Sequence, residues 1–140
     1  MVNINAQEYI NQKYPIEGVC KRDNDPKNKG KRREEVTILD ISQGKVGSNY
    51  FSDGKTLVGS LKLEGFTNLR TLIVSSHQLI SLDLTGLKNL EIISCRDNYL
   101  SELDFSSLNS EKIIYLDLRN NNFLEQNLSA FSNFTNLRLL

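Results

Sequence analysis

The stretch that decides the fold runs from Leu90 to Phe123. It opens as Leu90-Glu-Ile-Ile93-Ser-Cys95-Arg-Asp-Asn98-Tyr-Leu100 and restarts as Ile113-Ile-Tyr-Leu116-Asp-Leu118-Arg-Asn-Asn121-Asn-Phe123. Both segments carry apolar residues at positions 1, 4, 6 and 11 and asparagine at position 9. Positions 4 and 6 point the same way from a short strand, and positions 1 and 11 extend the same core above and below them. The asparagine turns the chain out of the strand. Its amide is both donor and acceptor, so stacked copies predict a ladder of side chains that satisfies buried loop backbone.

Working outward, the same spacing recurs. An earlier copy has Leu69, Leu72, Val74 and Leu79 with His77 in the asparagine slot, and the first has Val36, Leu39 and Ile41 with Gly44 in that slot. A further copy begins at Leu137-Arg-Leu-Leu140. Starts at 69, 90, 113 and 137 are separated by 21, 23 and 24 residues. Each copy returns through a second apolar set: Leu61, Leu63, Phe66; Leu82, Leu84, Leu87; Leu103, Phe105, Leu108; Leu128, Phe131, Phe134. The pattern resembles the leucine-rich repeat L-x-x-L-x-L-x-x-N-x-L, whose period spans about 20–29 residues. That resemblance implies an α/β fold, a right-handed solenoid with a parallel β-sheet on its concave side. The first copy is longer, with an insertion near residues 46–57, and insertions in repeats map to loops on one face. The chain stops within a strand pattern at Leu139 and Leu140, which predicts an open edge: either the chain is a fragment of a longer solenoid or, if it is complete, it forms a homodimer or larger species through that uncapped end.

Residues 1–35 read as a cap and 36–140 as the repeats. Residues 3–14 predict a short helix with Asn5 as N-cap, Glu8 at capping-box spacing, Pro15 as the stop, and Ala6, Ile10 and Tyr14 on one face. A solenoid exposes one side of its first repeat, so this helix predicts a lid. Gly18-Val19-Cys20 and Val36-Thr-Ile-Leu39-Asp-Ile41-Ser42 resemble the N-terminal cap of plant-type leucine-rich repeat proteins. The chain also resembles leucine-rich repeat proteins abundant in symbiotic fungi. The plant cap has two paired cysteines, and here the upstream one is missing. Cys20 precedes the first strand, whereas Cys95 fills a core slot two strands on. At about 4.8 Å per strand their separation exceeds the Cα reach of a disulfide. Two free thiols predict a reducing compartment, hence a cytoplasmic protein; the alternative is a secreted protein whose signal has been removed.

The 140 residues have zero formal net charge, with 39% hydrophobic and 24% charged residues, a composition without global steering toward nucleic acid or anionic membrane. No apolar run approaches the roughly 20 residues of a membrane helix. Gly54-Lys55-Thr56 lacks the upstream glycine of a phosphate-binding loop and reads as a plain surface loop. The basic run Lys27–Arg33 is flanked by Asp23, Asp25, Glu34 and Glu35 and has no interleaved aromatics, so it reads as an exposed cap loop. His77 is the only histidine, and its ring mimics the donor and acceptor of asparagine. Asn127 and Asn133 sit in N-x-[ST] sequences that also fit ordinary turns of the repeat. The sequence assigns no catalytic residue, no metal ligand and no cofactor, and it does not read as an enzyme.

Positions 3, 5, 7 and 8 point away from the core, so stacking aligns them in columns. Position 3 gives Ile38, Thr71, Ile92, Tyr115 and Leu139; position 5 gives Asp40, Ile73, Ser94 and Asp117. Position 7 gives Ser42, Ser75, Arg96 and Arg119; position 8 gives Gln43, Ser76, Asp97 and Asn120. An apolar stripe beside stacked arginines has the composition of an interface core. The expected partner-binding residues are therefore Ile73, Ile92, Ser94, Arg96, Tyr115, Asp117 and Arg119. Ile92 and Tyr115 would serve as anchors, and Arg96 and Arg119 would pair with acidic or carbonyl groups of a protein or peptide ligand. Two alternatives are a self-associating scaffold and the recognition module of a larger protein, such as a kinase-linked one.

Overall fold

The computed structural model describes residues 2–43 and 54–123. Its elements are β1 (Val2–Asn5), α1 (Ala6–Lys13), a 3-10 turn (Arg33–Glu35), β2 (Ile38–Asp40), β3 (Lys55–Lys62), β4 (Thr71–Ile73), β5 (Gln78–Asp83), β6 (Ile92–Ser94) and β7 (Tyr115–Asp117). The architecture is mixed α/β, with two small parallel sheets and one helix. One sheet has the order β2-β4-β6-β7 and the other β1-β3-β5. From β2 to β6 the chain alternates between them. Leu39, Leu72, Ile93 and Leu116, at position 4 of successive copies, lie at the centres of the four strands with no exposed surface. Leu57, Leu61, Leu79 and Leu82 of the second sheet join them in one cluster. Each such leucine contributes roughly 1.5–3 kcal/mol by leaving water.

The return from β3 and from β5 uses one recurring turn. Phe66 N–H donates to Leu63 C=O (3.3 Å) and Leu69 N–H to Phe66 C=O (3.2 Å). Leu87 repeats the first bond to Leu84 (3.1 Å) and Leu90 the second to Leu87 (3.3 Å). Gly65 and Gly86 hold the same place in the two turns with φ of 91° and 83°, a left-handed conformation that glycine adopts without a Cβ penalty.

Helix α1 forms where the sequence predicts a cap. Asn5 Oδ1 accepts from Glu8 N–H (3.0 Å), and Ala6, Ile10 and Tyr14 are all buried, as is Tyr9. The expected helix over 3–14 is shorter, because Val2–Asn5 instead extend as β1 beside β3, pairing Val2 with Lys55 through Asn5 with Val58. The cap also covers an edge. Arg22 Nη1 donates to Asp40 C=O (2.9 Å) and Asn28 Nδ2 to Ile38 C=O (2.8 Å). Side chains thus occupy β2 carbonyls that a further strand would otherwise take, which blunts an exposed sheet edge.

Four expectations change. The returning segments, which the sequence predicts only to pack, also pair as the β1-β3-β5 sheet; its register shifts at Gly59/Ser60, so Leu79 and Leu82, three residues apart with Ile80 and Ser81 exposed between them, both reach the core. Gly54-Lys55-Thr56 is not a surface loop: Lys55 and Thr56 open β3. The basic run is not wholly exposed, since Asn28 and Arg33 are 5% and 2% accessible. Leu103, Phe105 and Leu108 are only partly buried, and no strand forms around them. Gly44, most of the 46–57 insertion, Leu128 to Phe134, Asn127, Asn133, and the open edge at Leu139 and Leu140 with its dimer lie outside the described residues. Among the described residues no helix is long and apolar enough to cross a membrane. Cys20 and Cys95 are free and buried; burial pushes the Cys20 thiol up, and the Cys95 thiol up to about 12, with nearby Asp117 adding to the rise at Cys95.

Candidate binding face

The turns that end the strands of the four-stranded sheet are fixed by the asparagine slot. Asn98 Oδ1 accepts from Leu79 N–H (3.0 Å), and its Nδ2 donates to Val74 C=O (2.9 Å) and Cys95 C=O (3.1 Å). Asn121 repeats this one copy later, accepting from Leu100 N–H (2.9 Å) and donating to Cys95 C=O (3.0 Å) and Leu118 C=O (3.1 Å). His77 does the same one copy earlier. Its Nδ1 accepts from Leu57 N–H (3.0 Å) and its Nε2 lies 2.6 Å from Ile41 C=O. Because a carbonyl only accepts, the proton sits on Nε2. The ring therefore reproduces the asparagine's acceptor and its donation to the preceding copy, but with a single N–H it does not add the second donation that Asn98 and Asn121 make within their own copy.

Position 8 belongs to these turns. Ser76, Asp97 and Asn120 have φ of 65°, 60° and 58°, the left-handed region that aspartate and asparagine enter most readily among residues with a Cβ. Asn120 Nδ2 donates to Asp97 Oδ1 (2.7 Å), and Gln43 Nε2 to Thr56 Oγ1 (3.0 Å). The Asn120–Asp97 bond thus ties two neighbouring turns together and Gln43 reaches β3, while Gln43 and Ser76 also border the open face. Asp and Asn at successive position-8 sites were the sequence signal for this.

The other columns align as expected. Ile38, Thr71, Ile92 and Tyr115 are register partners in succession, as are Asp40, Ile73, Ser94 and Asp117. All seven expected binding residues line one hollow of about 380 Å³ over the sheet, together with Asp40, Ser42, Gln43, Ser75 and Ser76. Ile73, Ile92 and Tyr115 are half-buried. Beside them the Ser75 and Ser94 hydroxyls share a hydrogen bond of 2.9 Å.

The two arginines differ. Arg119 grips Asp117 in a bidentate fork, Nε to Oδ1 at 2.9 Å and Nη2 to Oδ2 at 2.8 Å. Two of its nitrogens, expected to meet a partner's acid or carbonyl, are thus engaged by Asp117, the last residue of β7. Arg96 instead has one loose ion pair, Nε to Asp97 Oδ2 at 3.8 Å. The aspartate at position 5 and a donor at position 7 explain the contrast, because the pair occurs at Asp117/Arg119 and again at Asp40/Ser42, where Ser42 Oγ donates to Asp40 Oδ1 (2.6 Å). At Arg96 the position-5 residue is Ser94, which carries no charge.

The Arg119 fork holds the Asp117 carboxyl below the usual carboxylate range, against the upward push of burial. A folded-state value below the unfolded one means that the pair stabilises the fold at neutral pH and that this contribution is lost as acid passes the depressed value. Carboxyl-detected NMR titration of Arg119→Met should move the Asp117 midpoint upward; an unchanged midpoint would mean that the fork does not persist in solution.

Among the described residues no group of three or more His, Cys, Asp or Glu side chains gathers as a metal site would require. No family model matches the chain, and neither a curated protein nor a solved structure does.

Proposed function

We propose that this chain is a leucine-rich repeat recognition module: a right-handed solenoid with a plant-type-like cap, whose four-stranded sheet is the concave face on which a protein or peptide docks. The observation that carries the reading is the hollow over that sheet, where aliphatic, aromatic and arginine side chains from successive strands are brought into register. Those residue types dominate the energetics of protein interfaces. The ladder of His77, Asn98 and Asn121 supports the repeat assignment, since in three consecutive copies the slot accepts from a backbone N–H and bonds the position-6 carbonyl of the preceding copy. Two buried free thiols support a reducing, cytoplasmic setting.

The test is affinity capture from a lysate of the source cells with wild type, an Ile92→Ala, Tyr115→Ala double variant, and Ile80→Ala. Ile80 is 59% exposed on β5 of the other sheet and serves as the surface control. Proteins retained by wild type and Ile80→Ala but lost by the double variant support recognition on the four-stranded sheet. Equal capture by all three sinks it, and recovery of nothing but the chain itself favours self-association.

A further inference from the structure

The asymmetry between the two arginines narrows the chemistry of a partner on this face. The Arg96 side chain retains 34% of its exposure, and its Nε contact with Asp97 at 3.8 Å is beyond hydrogen-bond range. Among the described residues its guanidinium makes no hydrogen bond; its acidic neighbours are Asp97, in that loose pair, and Asp117, whose carboxylate also feels its charge. A planar guanidinium with its N–H groups unengaged, seated in a hollow beside apolar side chains, matches a carboxylate in two-pronged geometry.

Resting on the recognition function proposed for this face, we propose that the face takes an acidic peptide segment. A side-chain carboxylate of the segment seats on Arg96, and an apolar side chain of the segment covers Ile92 and Tyr115. Arg96 lies four residues beyond Ile92 and two past the end of β6, where Cys95 and Asp97 N–H still bond to Asp117 and Arg119 C=O, at 3.0 and 2.9 Å. The backbone is therefore held against its neighbour over that length, which sets the two ligand groups about 13 Å apart. The spacing suits an extended peptide with the acid some four residues from the apolar side chain. Charge restricts the ligand further. Asp40 and Asp117 line the hollow and Asp97 borders Arg96. One negative charge meets the open arginine, whereas the nearly two charges of a phosphate monoester would also face these aspartates. Arg119 contributes a charge already balanced by Asp117, so it walls the site and does not need a second acid.

The experiment uses a random dodecapeptide display library selected on the full 140-residue chain, then on Arg96→Glu and on Tyr115→Ala, each checked for native circular dichroism. The expected result is enrichment of peptides with an acidic residue separated from an apolar one. Their affinity should fall about tenfold or more on Arg96→Glu, the scale of one charge-assisted contact, and reselection on Arg96→Glu should return a basic residue at that place. Arg96→Gln, which keeps the side-chain bulk, should fall between. Peptides without an acid that bind Arg96→Glu equally well but are lost on Tyr115→Ala overturn the inference and leave the binding face standing. Peptides indifferent to both substitutions, or no enrichment at all, overturn both.

Discussion

Arg33→Ala is expected to cost about 3–5 kcal/mol of folding stability, on the scale of losing several charge-assisted hydrogen bonds and leaving two carbonyls without their donor. The site explains the size. Arg33 is 2% exposed and donates from three nitrogens: Nε to Tyr14 C=O (2.7 Å), Nη1 to Glu64 C=O (2.6 Å) and Nη2 to Asn11 Oδ1 (3.0 Å). Its guanidinium carbon stands 4.8 Å from the centre of the Phe66 ring, and Phe66 meets Tyr14 edge-on with centroids 5.9 Å apart. One side chain thus joins the end of α1, the turn after β3 and the aromatic pair between them. Hydrogen bonds to charged groups are each worth about 1.5–3 kcal/mol, and alanine leaves two backbone carbonyls without this donor. The apparent melting temperature should fall by about 10 °C or more for a chain of this size. Arg33→Lys should recover only part of the loss, because an ammonium cannot hold three acceptors in a planar fork. Urea unfolding followed by circular dichroism measures both. A loss below about 1 kcal/mol, the scale of an exposed ion pair, would mean that Arg33 is as solvated as its basic neighbours.

Arg33 also marks where the sequence stops being legible. Within Lys27–Arg33 every cation looks alike in one dimension, and composition assigns the whole run to solvent. What buries Arg33 and not Lys29 is the arrival of Tyr14, Glu64 and Phe66 from distant parts of the chain; periodicity assigns Tyr14 and Phe66 to the core but does not bring them beside Arg33. The β2-β4-β6-β7 sheet was legible because its period-two alternation and position-9 slot repeat three times with the same spacing. Register followed directly, so the columns holding Ile92, Tyr115 and Ser94 could be written down from residue numbers. The β1-β3-β5 sheet was not legible: the register shift at Gly59/Ser60 sets the buried Leu79 and Leu82 three residues apart, which breaks the period of two, and Gly59, Ser60 and Ser81 read equally well as loop. The difference between Arg96 and Arg119 was visible in principle, since Asp117 lies two residues before Arg119 and Ser94 lies two before Arg96. A strand places such residues on one face, and that local rule, applied within the strand and not only across strands, separates the open guanidinium from the occupied one.

The asparagine slot carries the second large effect. Asn98→Ala is expected to cost about 3 kcal/mol, because Leu79 N–H and Val74 C=O both lose a buried partner, each worth about 1–3 kcal/mol. Asn121→Ala should cost less, about 1–2 kcal/mol, since its bonds are only part-buried and water can replace an exposed partner. The two residues are also coupled through one atom. Asn98 Nδ2 and Asn121 Nδ2 both donate to Cys95 C=O, at 3.1 and 3.0 Å. Either single variant leaves that carbonyl with one donor; the double variant removes both, so its loss should exceed the sum of the singles by about 1 kcal/mol, a coupling typical of residues that share a partner. His77 tests the same logic by chemistry rather than deletion. If the ring serves only as an asparagine substitute, His77→Asn should stay within about 1 kcal/mol of wild type, while His77→Ala should lose about 2–4 kcal/mol as Leu57 N–H and Ile41 C=O lose their partner. Amide exchange at Leu57 gives the local readout, slow in wild type and His77→Asn and fast in His77→Ala. Additive losses at 98 and 121, or equal losses for both His77 variants, would mean that the slot residues act as independent side chains and that the stacked copies do not share a ladder.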